Sequence, residues 1–403
     1  MRLRTSFLCV LGCASLALSA GCASTSQQSS PGGSTPTQDG TVTTPPTYGP
    51  TSGSTSAAAW KGARVGDRVV YSFSVNRSPG RGIGQTGSLA GRVSLEVVAV
   101  QQPWVWLRLA FTDDAGKALS NARLAQDMLL PVRMDATREL NVPREGTESV
   151  EQPSAAGRTW DATRYIRDNR PADGPLENRL YAVNPGPLYL TNGLLDASTT
   201  LSGFGGNGGS QLTLVEARQG AEGGSAAAPA LERPFGPGAW FDIRMNMPGN
   251  NDVQRSCFSA EQGHVLRTFG PVPAAGAQPC ASFAEAEVVP LEESVLGVIS
   301  EAIGAQTWPP ASTGTSSRGN FTVAGRSVPA VTLETPENEG TTRRVRFETF
   351  AANPWDTSLS GLPLEARFRA LTEGVDKLDA AGKRTPEAST QLSGWGVWAG
   401  GTK

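Results

Sequence analysis

From Val69 onward the chain is patterned mostly with period two. Val69, Tyr71, Phe73 and Val75 alternate with smaller or more polar residues, the rhythm of a strand with one buried face. Val93, Leu95, Val97 and Ala99 repeat it after a glycine-rich turn. The run Trp104-Val105-Trp106-Leu107-Arg108-Leu109-Ala110-Phe111 is apolar on both faces, and Thr112-Asp113-Asp114-Ala115-Gly116-Lys117 after it supplies turn chemistry. This opening reads as an antiparallel meander. Further strands are expected at Arg179–Val183, Gln211–Glu216, Trp240–Met245, Val265–Phe269, Val328–Glu334 and Arg343–Phe350. Helix is sparse. Leu291, Val295, Leu296, Ile299 and Ile303 fall on one face at helical spacing, so a short helix is expected over 291–303. Leu364–Leu378 fits either period, and a short strand followed by a turn is the expectation there. The fold class is therefore mainly β: antiparallel, strongly curved sheets in a sandwich or an open, barrel-like form, with a few short helices.

An internal echo suggests two related β units. Gly157-Arg158, Asn184-Pro185 and Gly193-Leu194 recur in order as Gly325-Arg326, Asn353-Pro354 and Gly361-Leu362. The gaps are 27 and 9 residues in the first copy, and 28 and 8 in the second. Chance in a chain rich in glycine and proline is the competing explanation, and the echo is too sparse for a repeat array.

The amino-terminal segment has a different character. Arg2 and Arg4 precede a mostly apolar run from Phe7 to Leu18, too short to span a bilayer core of about 30 Å as a helix. It ends in Leu18-Ser19-Ala20-Gly21-Cys22. This segment resembles the lipobox signal of bacterial lipoproteins. The resemblance implies cleavage after residue 21 and acylation of Cys22, usually with three chains, which is enough for stable anchoring since each buried methylene contributes about 0.8 kcal/mol. Ala23 stands where an aspartate would mark inner-membrane retention in enteric bacteria, so the outer membrane is favoured. Beyond this segment, the chain looks like one of the many uncharacterised lipoproteins of high-GC bacteria, which implies no activity.

Composition sets the layout. Residues 23–57 are Ser, Thr, Pro, Gly and Gln with almost no large apolar side chain, a composition that stays a flexible tether with a span of roughly 30–35 Å. Gln219–Ala230 is a second loose stretch and Pro309–Gly319 looks like a long loop. The expected organisation is a signal peptide at 1–21, a lipidated cysteine and tether at 22–58, a β domain at 59–218, a linker at 219–231, and a second β domain at 232–403. The formal charge of −2 becomes −4 once Arg2 and Arg4 leave with the signal, and no basic stripe is present. Nucleic-acid binding needs clustered cations and is set aside. Of five cysteines, Cys9 and Cys13 leave with the signal and Cys22 is lipidated. Cys257 and Cys280 remain as an even pair in an oxidising compartment, where a disulfide is the expectation.

Candidate chemistry is thin. The single histidine, His264, follows Gly263 in an apparent hairpin turn, where a solvated ring is expected. It has no G-x-S-x-G elbow with which to build a triad. No catalytic, metal or cofactor residues are assigned, since zinc sites draw several ligands from Cys and His. Gly82-Ile83-Gly84-Gln85-Thr86-Gly87 matches G-x-G-x-x-G but precedes a strand rather than a helix, so it reads as a hairpin loop. The carboxylate pairs Asp113/Asp114, Glu285/Glu287 and Glu292/Glu293 could form a calcium ligand set or an acid/base pair, but they fit turns and an exposed helix start, the last complementing the helix dipole. Trp104 and Trp106 point opposite to Val105, Leu107, Leu109 and Phe111. Either the strand is buried on both faces, or the two indoles wall a cavity for an acyl chain or a sugar ring. Gly394-Trp395-Gly396-Val397-Trp398 invites the same pair of readings.

Three functions follow. The favoured one is a non-enzymatic envelope lipoprotein, a structural or interaction module whose partners are the membrane, through its anchor, and an envelope protein, lipid or glycan. The alternative is a carrier of an acyl-chain or glycan ligand in a curved-sheet pocket, with Trp104 and Trp106 as its wall. The third is an envelope hydrolase working with carboxylates alone.

Overall fold

The computed structural model describes residues 57–79, 87–119, 124, 127–134, 140, 142, 144–202, 206–223, 238–249, 251–280, 283–306, 314–339, 341–354, 356–367 and 369–398. The expectations for the signal, Cys22 and the tether up to residue 56 lie outside these residues. So do those for residues 82–86 of the glycine loop, for 224–231 of the linker, and for 309–313. The described chain from residue 57 on belongs to one compact unit.

The fold is mainly β: among the described residues, one large mixed sheet of eighteen strands does not close into a barrel. A short helix α1 (Ala57–Lys61) leads into four strands: β1 (Arg68–Pro79), β2 (Gly87–Gln101), β3 (Trp104–Thr112) and β4 (Met128–Arg133). Then come β5 (Thr147–Glu151), the two-residue strands β6 (Ser154–Ala155) and β7 (Arg158–Thr159), β8 (Ala162–Asp168), β9 (Leu176–Ala182), β10 (Leu194–Leu201) and β11 (Gly206–Arg218). The last of these returns to pair with the first, giving the order β4-β3-β2-β1-β11-β10-β9-β8-β5.

The rest of the chain repeats this path. Its strands are β12 (Gly238–Asn246), β13 (Val253–Glu261), β14 (His264–Pro271) and β15 (Glu287–Pro290), followed by helix α2 (Leu291–Gln306). After the helix come β16 (Thr315–Val323), β17 (Arg326–Glu339), β18 (Thr342–Ala351), the single turn α3 (Leu364–Arg367), β19 (Thr372–Leu378) and β20 (Arg384–Trp398). Again the last strand pairs with the first, in the order β15-β14-β13-β12-β20-β19-β18-β17-β16. Position by position the two orders are the same. Even the irregularity is shared, since the first-to-last pairing slips by a residue at Val70/Tyr71 in one half and at Asp242/Ile243 in the other. Among the described residues a parallel bridge, Arg133 to Glu261, pairs a strand of one half with a strand of the other.

The recurring dipeptides occupy matching places in this path. Ala156-Gly157 and Ala324-Gly325 are both two-residue turns with positive φ at each position, 52° and 75° in one and 48° and 72° in the other. That geometry suits the twist of a tight hairpin and is open to glycine at little steric cost. Asn184-Pro185 follows β9 and Asn353-Pro354 follows β18, and each leads into a 3-10 turn, at Gly186–Thr191 and Thr357–Leu359. Gly193 and Gly361 close these turns in left-handed conformation, at φ 85° and 80°. The leucines after them, Leu194 and Leu362, are fully buried.

Alternation explains the strands that carry the core. The inward residues of β1 and β2 form one face with Leu107, Leu109 and Phe111 of β3, and a single apolar cluster runs through both halves. Helix α2 spans the expected helix. It lies on β1, β2 and β11 of the other half and buries Leu291, Val295, Leu296 and Ile299, each contributing about 2 kcal/mol. Two expectations are corrected. Leu364–Leu378 is a helical turn followed by a strand, because Pro363 starts the turn by accepting from the amides of Ala366 and Arg367 and Arg367 ties it back to the carbonyls of Leu362 and Pro354. Thr315–Gly319, expected within a loop, belongs to β16. Its side chains are exposed on both faces, so its pairing with β17 rests on the backbone and leaves no alternation to see.

Candidate functional site

The aromatic strand is set first by its neighbours. In β3, Trp106 pairs with Ala99 of β2 and with Pro131 of β4, small or compact partners that leave room for the indole. Trp106 is 4 % exposed and belongs to the interior. Trp104 is half-buried, with the Arg133 guanidinium 5.7 Å from its ring centre. The strand is thus covered on both faces along its middle, and the two indoles do not share an open wall. Trp395 in β20 is also buried, donating its indole N–H to Ser360 O at 3.0 Å. Cys257 of β13 and Cys280 form a disulfide, with Cα atoms 6.0 Å apart.

The turn histidine and one carboxylate pair differ from expectation. His264 is 4 % exposed, not solvated. Its Nδ1 donates to Gln262 O at 3.0 Å, and burial pulls its pKa down to about 4, so the ring is neutral at pH 7. Asp113 and Asp114 sit on the expected turn, where Asp113 accepts from the Lys117 amide and Asp114 pairs with Arg92. Glu285 and Glu287 are exposed. Glu292 and Glu293, expected at an exposed helix start, are instead pressed against the first half. Arg179 of β9 binds Glu293 through two hydrogen bonds, the longer 2.9 Å. Glu292 is 1 % exposed. It accepts from Tyr181 Oη at 3.2 Å and Asn192 Nδ2 at 2.7 Å. Burial pushes its carboxyl up to about 7, and the charge of Glu293 adds to this while Asn192 and Arg144 oppose it.

This carboxyl belongs to a buried polar network. Asn192 also donates to Gly263 O, next to His264. Tyr71 of β1 shares a 2.6 Å hydrogen bond with Thr191 and donates to Leu194 O. Tyr189 donates to Asp67 at 2.6 Å and stacks edge-on with Trp60 of α1. Burial raises the pKa of all three tyrosines, Tyr71, Tyr181 and Tyr189, so they remain neutral donors. These hydrogen bonds make the network a clamp: it holds the 3-10 turn Gly186–Thr191 against β1, β9 and the first turn of α2.

Outside this clamp, a recess of about 220 Å³ is lined by Arg158, Thr159, Trp160, Asp161 and Asn184. The turn at Ala156-Gly157 delivers Arg158 so that its guanidinium carbon lies 3.2 Å from the centre of the Trp160 ring. Trp160 is itself fixed by its indole N–H, which donates to Ala155 O at 3.0 Å. Asp161 accepts from Gln152 Nε2 through one oxygen. The sequence marks Arg158 and Asn184 as members of the recurring dipeptides but gives no sign that the fold places them together.

A family of unknown function (DUF6068) matches residues 3–403 of the chain. No curated protein matches. Among solved structures, a β-barrel-like protein of unknown function (DUF1849) from Brucella abortus is 9 % identical, with 83 % of this chain and 99 % of that one covered, at a TM-score of 0.13. A protein of unknown function from Nostoc punctiforme (DUF3598) is 10 % identical, with 81 % and 96 % covered, at 0.14. Kievitone hydratase from Nectria haematococca is 9 % identical, with 71 % and 85 % covered, at 0.13. At such TM-scores these likenesses carry no argument about activity.

Proposed function

We propose, for a chain that belongs to the family of unknown function DUF6068, a non-enzymatic role as an interaction or structural module of the cell envelope, anchored at the outer membrane by lipid on Cys22. The observation that carries this reading is how the large sheet is packed. Helix α2 and the apolar cluster pack against the sheet, and the buried groups Glu292, Tyr181, Asn192, Tyr189 and Asp67 are engaged in hydrogen bonds. The interior is core, and the outer surface of the strands is what the protein offers to others. The burial of Trp106 supports this reading over an acyl-chain carrier, which needs that indole to face its cargo. The enclosure of Glu292 by Tyr181 and Asn192 supports it over carboxylate hydrolysis, which needs a carboxyl that substrate can reach.

Site-specific photo-crosslinking in the native envelope tests the proposal. A photoreactive residue at exposed apolar positions, such as Val183, Phe269 and Val397, is expected to give a discrete product with one envelope protein. Uncrosslinked monomer at all three, with the protein correctly anchored and folded, would refute it.

A further inference from the structure

The two halves provide an internal comparison at one position. Arg326 follows its Ala-Gly turn as Arg158 does. Its guanidinium carbon lies 4.8 Å from the Trp395 ring centre, and its Nη1 donates to Ser358 O at 3.2 Å and Ser360 O at 3.0 Å. Those carbonyls belong to the 3-10 turn that follows Asn353-Pro354. Arg158 faces the corresponding turn after Asn184-Pro185, yet its Nη2 is 4.0 Å from the place where a Cβ on Gly186 would be. Among the described residues no carboxylate or carbonyl pairs with its side chain, which lies over the Trp160 indole. An exposed arginine fixed in this way keeps its N–H donors aligned in one plane, the arrangement that binds a planar carboxylate through two hydrogen bonds. Asn184 and Thr159, both exposed in the same recess, add an amide and a hydroxyl. Asp161 has one oxygen free of Gln152 to accept from a donor beside the carboxylate.

We propose that this recess binds a carboxylate with a neighbouring N–H group, as at the end of a peptide chain, with Arg158 as the carboxylate ligand. Arg158 takes both carboxylate oxygens, Asp161 accepts the adjacent N–H, and Asn184 lines the same recess. At about 220 Å³, the recess is on the scale of a small terminal group. The site stands apart from the docking role proposed above, and either can fail without the other.

The test is titration of the anchored protein in detergent micelles with N-acetylglycine, followed by the nitrogen–proton resonance of the Trp160 indole, assigned with Trp160→Phe. N-acetylglycinamide and inorganic phosphate serve as comparison probes. One bidentate charged contact predicts saturation with a Kd in the region of about 1 mM. Arg158→Gln is expected to weaken binding at least about tenfold, while Arg326→Gln, whose partner carbonyls already occupy it, leaves it unchanged. Asn184→Ala is a second variant that leaves the turn and the stacked pair intact, and weakening there supports the site even if Arg158→Gln disturbs the hairpin. The proposal is overturned by an unsaturated or absent shift up to about 100 mM, by equal binding of the uncharged amide, by saturation with phosphate alone, or by unchanged binding in both Arg158→Gln and Asn184→Ala.

Discussion

Glu292 and His264 lie close together, around Gly263 and the first turn of α2, and burial perturbs them in opposite senses. Glu292 titrates near 7 in the folded protein against an ordinary 4.5. A raised acid is fully stabilising below its unfolded value, and that stability is lost as pH rises through the folded value. At 1.36 kcal/mol for each pKa unit, the loss between pH 5 and pH 7 is about 2 kcal/mol. His264 titrates near 4 against an ordinary 6.5. A lowered base is stabilising above its unfolded value and loses that stability as pH falls, again by about 2 kcal/mol between pH 7 and pH 5. The two slopes oppose each other, so together they leave the native protein nearly level across this window. Glu292→Gln keeps an acceptor for Asn192 and a group for Tyr181 but cannot ionise. It should expose the histidine slope and become less stable on acidification from pH 7 to pH 5 by about 2 kcal/mol relative to the native chain. His264→Asn should show the reverse, losing stability as pH rises over the same range. Urea unfolding at pH 5, 6 and 7 reads both, provided each protein unfolds in one transition. Parallel pH profiles in the three proteins would refute the reasoning, because these buried groups would then contribute nothing that depends on their protons.

Two further outcomes follow from the same structure and a third from the proposed anchor. Cys257→Ser with Cys280→Ser removes a cross-link between residues 23 apart and should cost on the order of 3 kcal/mol, read as a lower urea midpoint; an unchanged midpoint would contradict the closed loop. Trp106→Ala empties a buried site in β3 and should destabilise by about 3–5 kcal/mol, whereas full stability would show that the indole is not part of the core. On the proposed anchoring, Cys22→Ser should move the protein from the detergent-dependent membrane fraction to the soluble periplasm, and continued membrane retention would argue for another attachment.

Much of the fold is legible where burial leaves a trace in the sequence. β1, β2 and β3 declare themselves because alternate residues enter one core, and α2 because four of its apolar residues return to one face. β5 and β16 are silent for the opposite reason. Their side chains are largely exposed on both faces, so only backbone pairing defines them. The recurring dipeptides report turn geometry, which local chemistry encodes, and they therefore mark matching places in the two strand orders. The clamp is not legible. Glu292 and Glu293 look like a solvated helix start, and His264 like a solvated turn, until the path of the chain brings Tyr181, Asn192 and Arg179 against them from more than seventy residues away in sequence. The Arg158 recess falls between these cases. Its arginine stands out in the echo, but its stacking on Trp160 and the missing carbonyl partners emerge only when the two turns are compared in space.

The proposed role requires that the sheet pack against its own core without a hydrophobic cargo. Native mass spectrometry of the mature protein, released gently from its own envelope in detergent, tests it most directly. The expected spectrum shows the mass of the acylated chain, lighter by two hydrogens for the Cys257–Cys280 bond, with no hydrophobic molecule leaving on collisional activation. A stoichiometric lipid-sized mass, retained through purification and lost on activation, would contradict it and return Trp104 and Trp106 to the wall of a binding cavity.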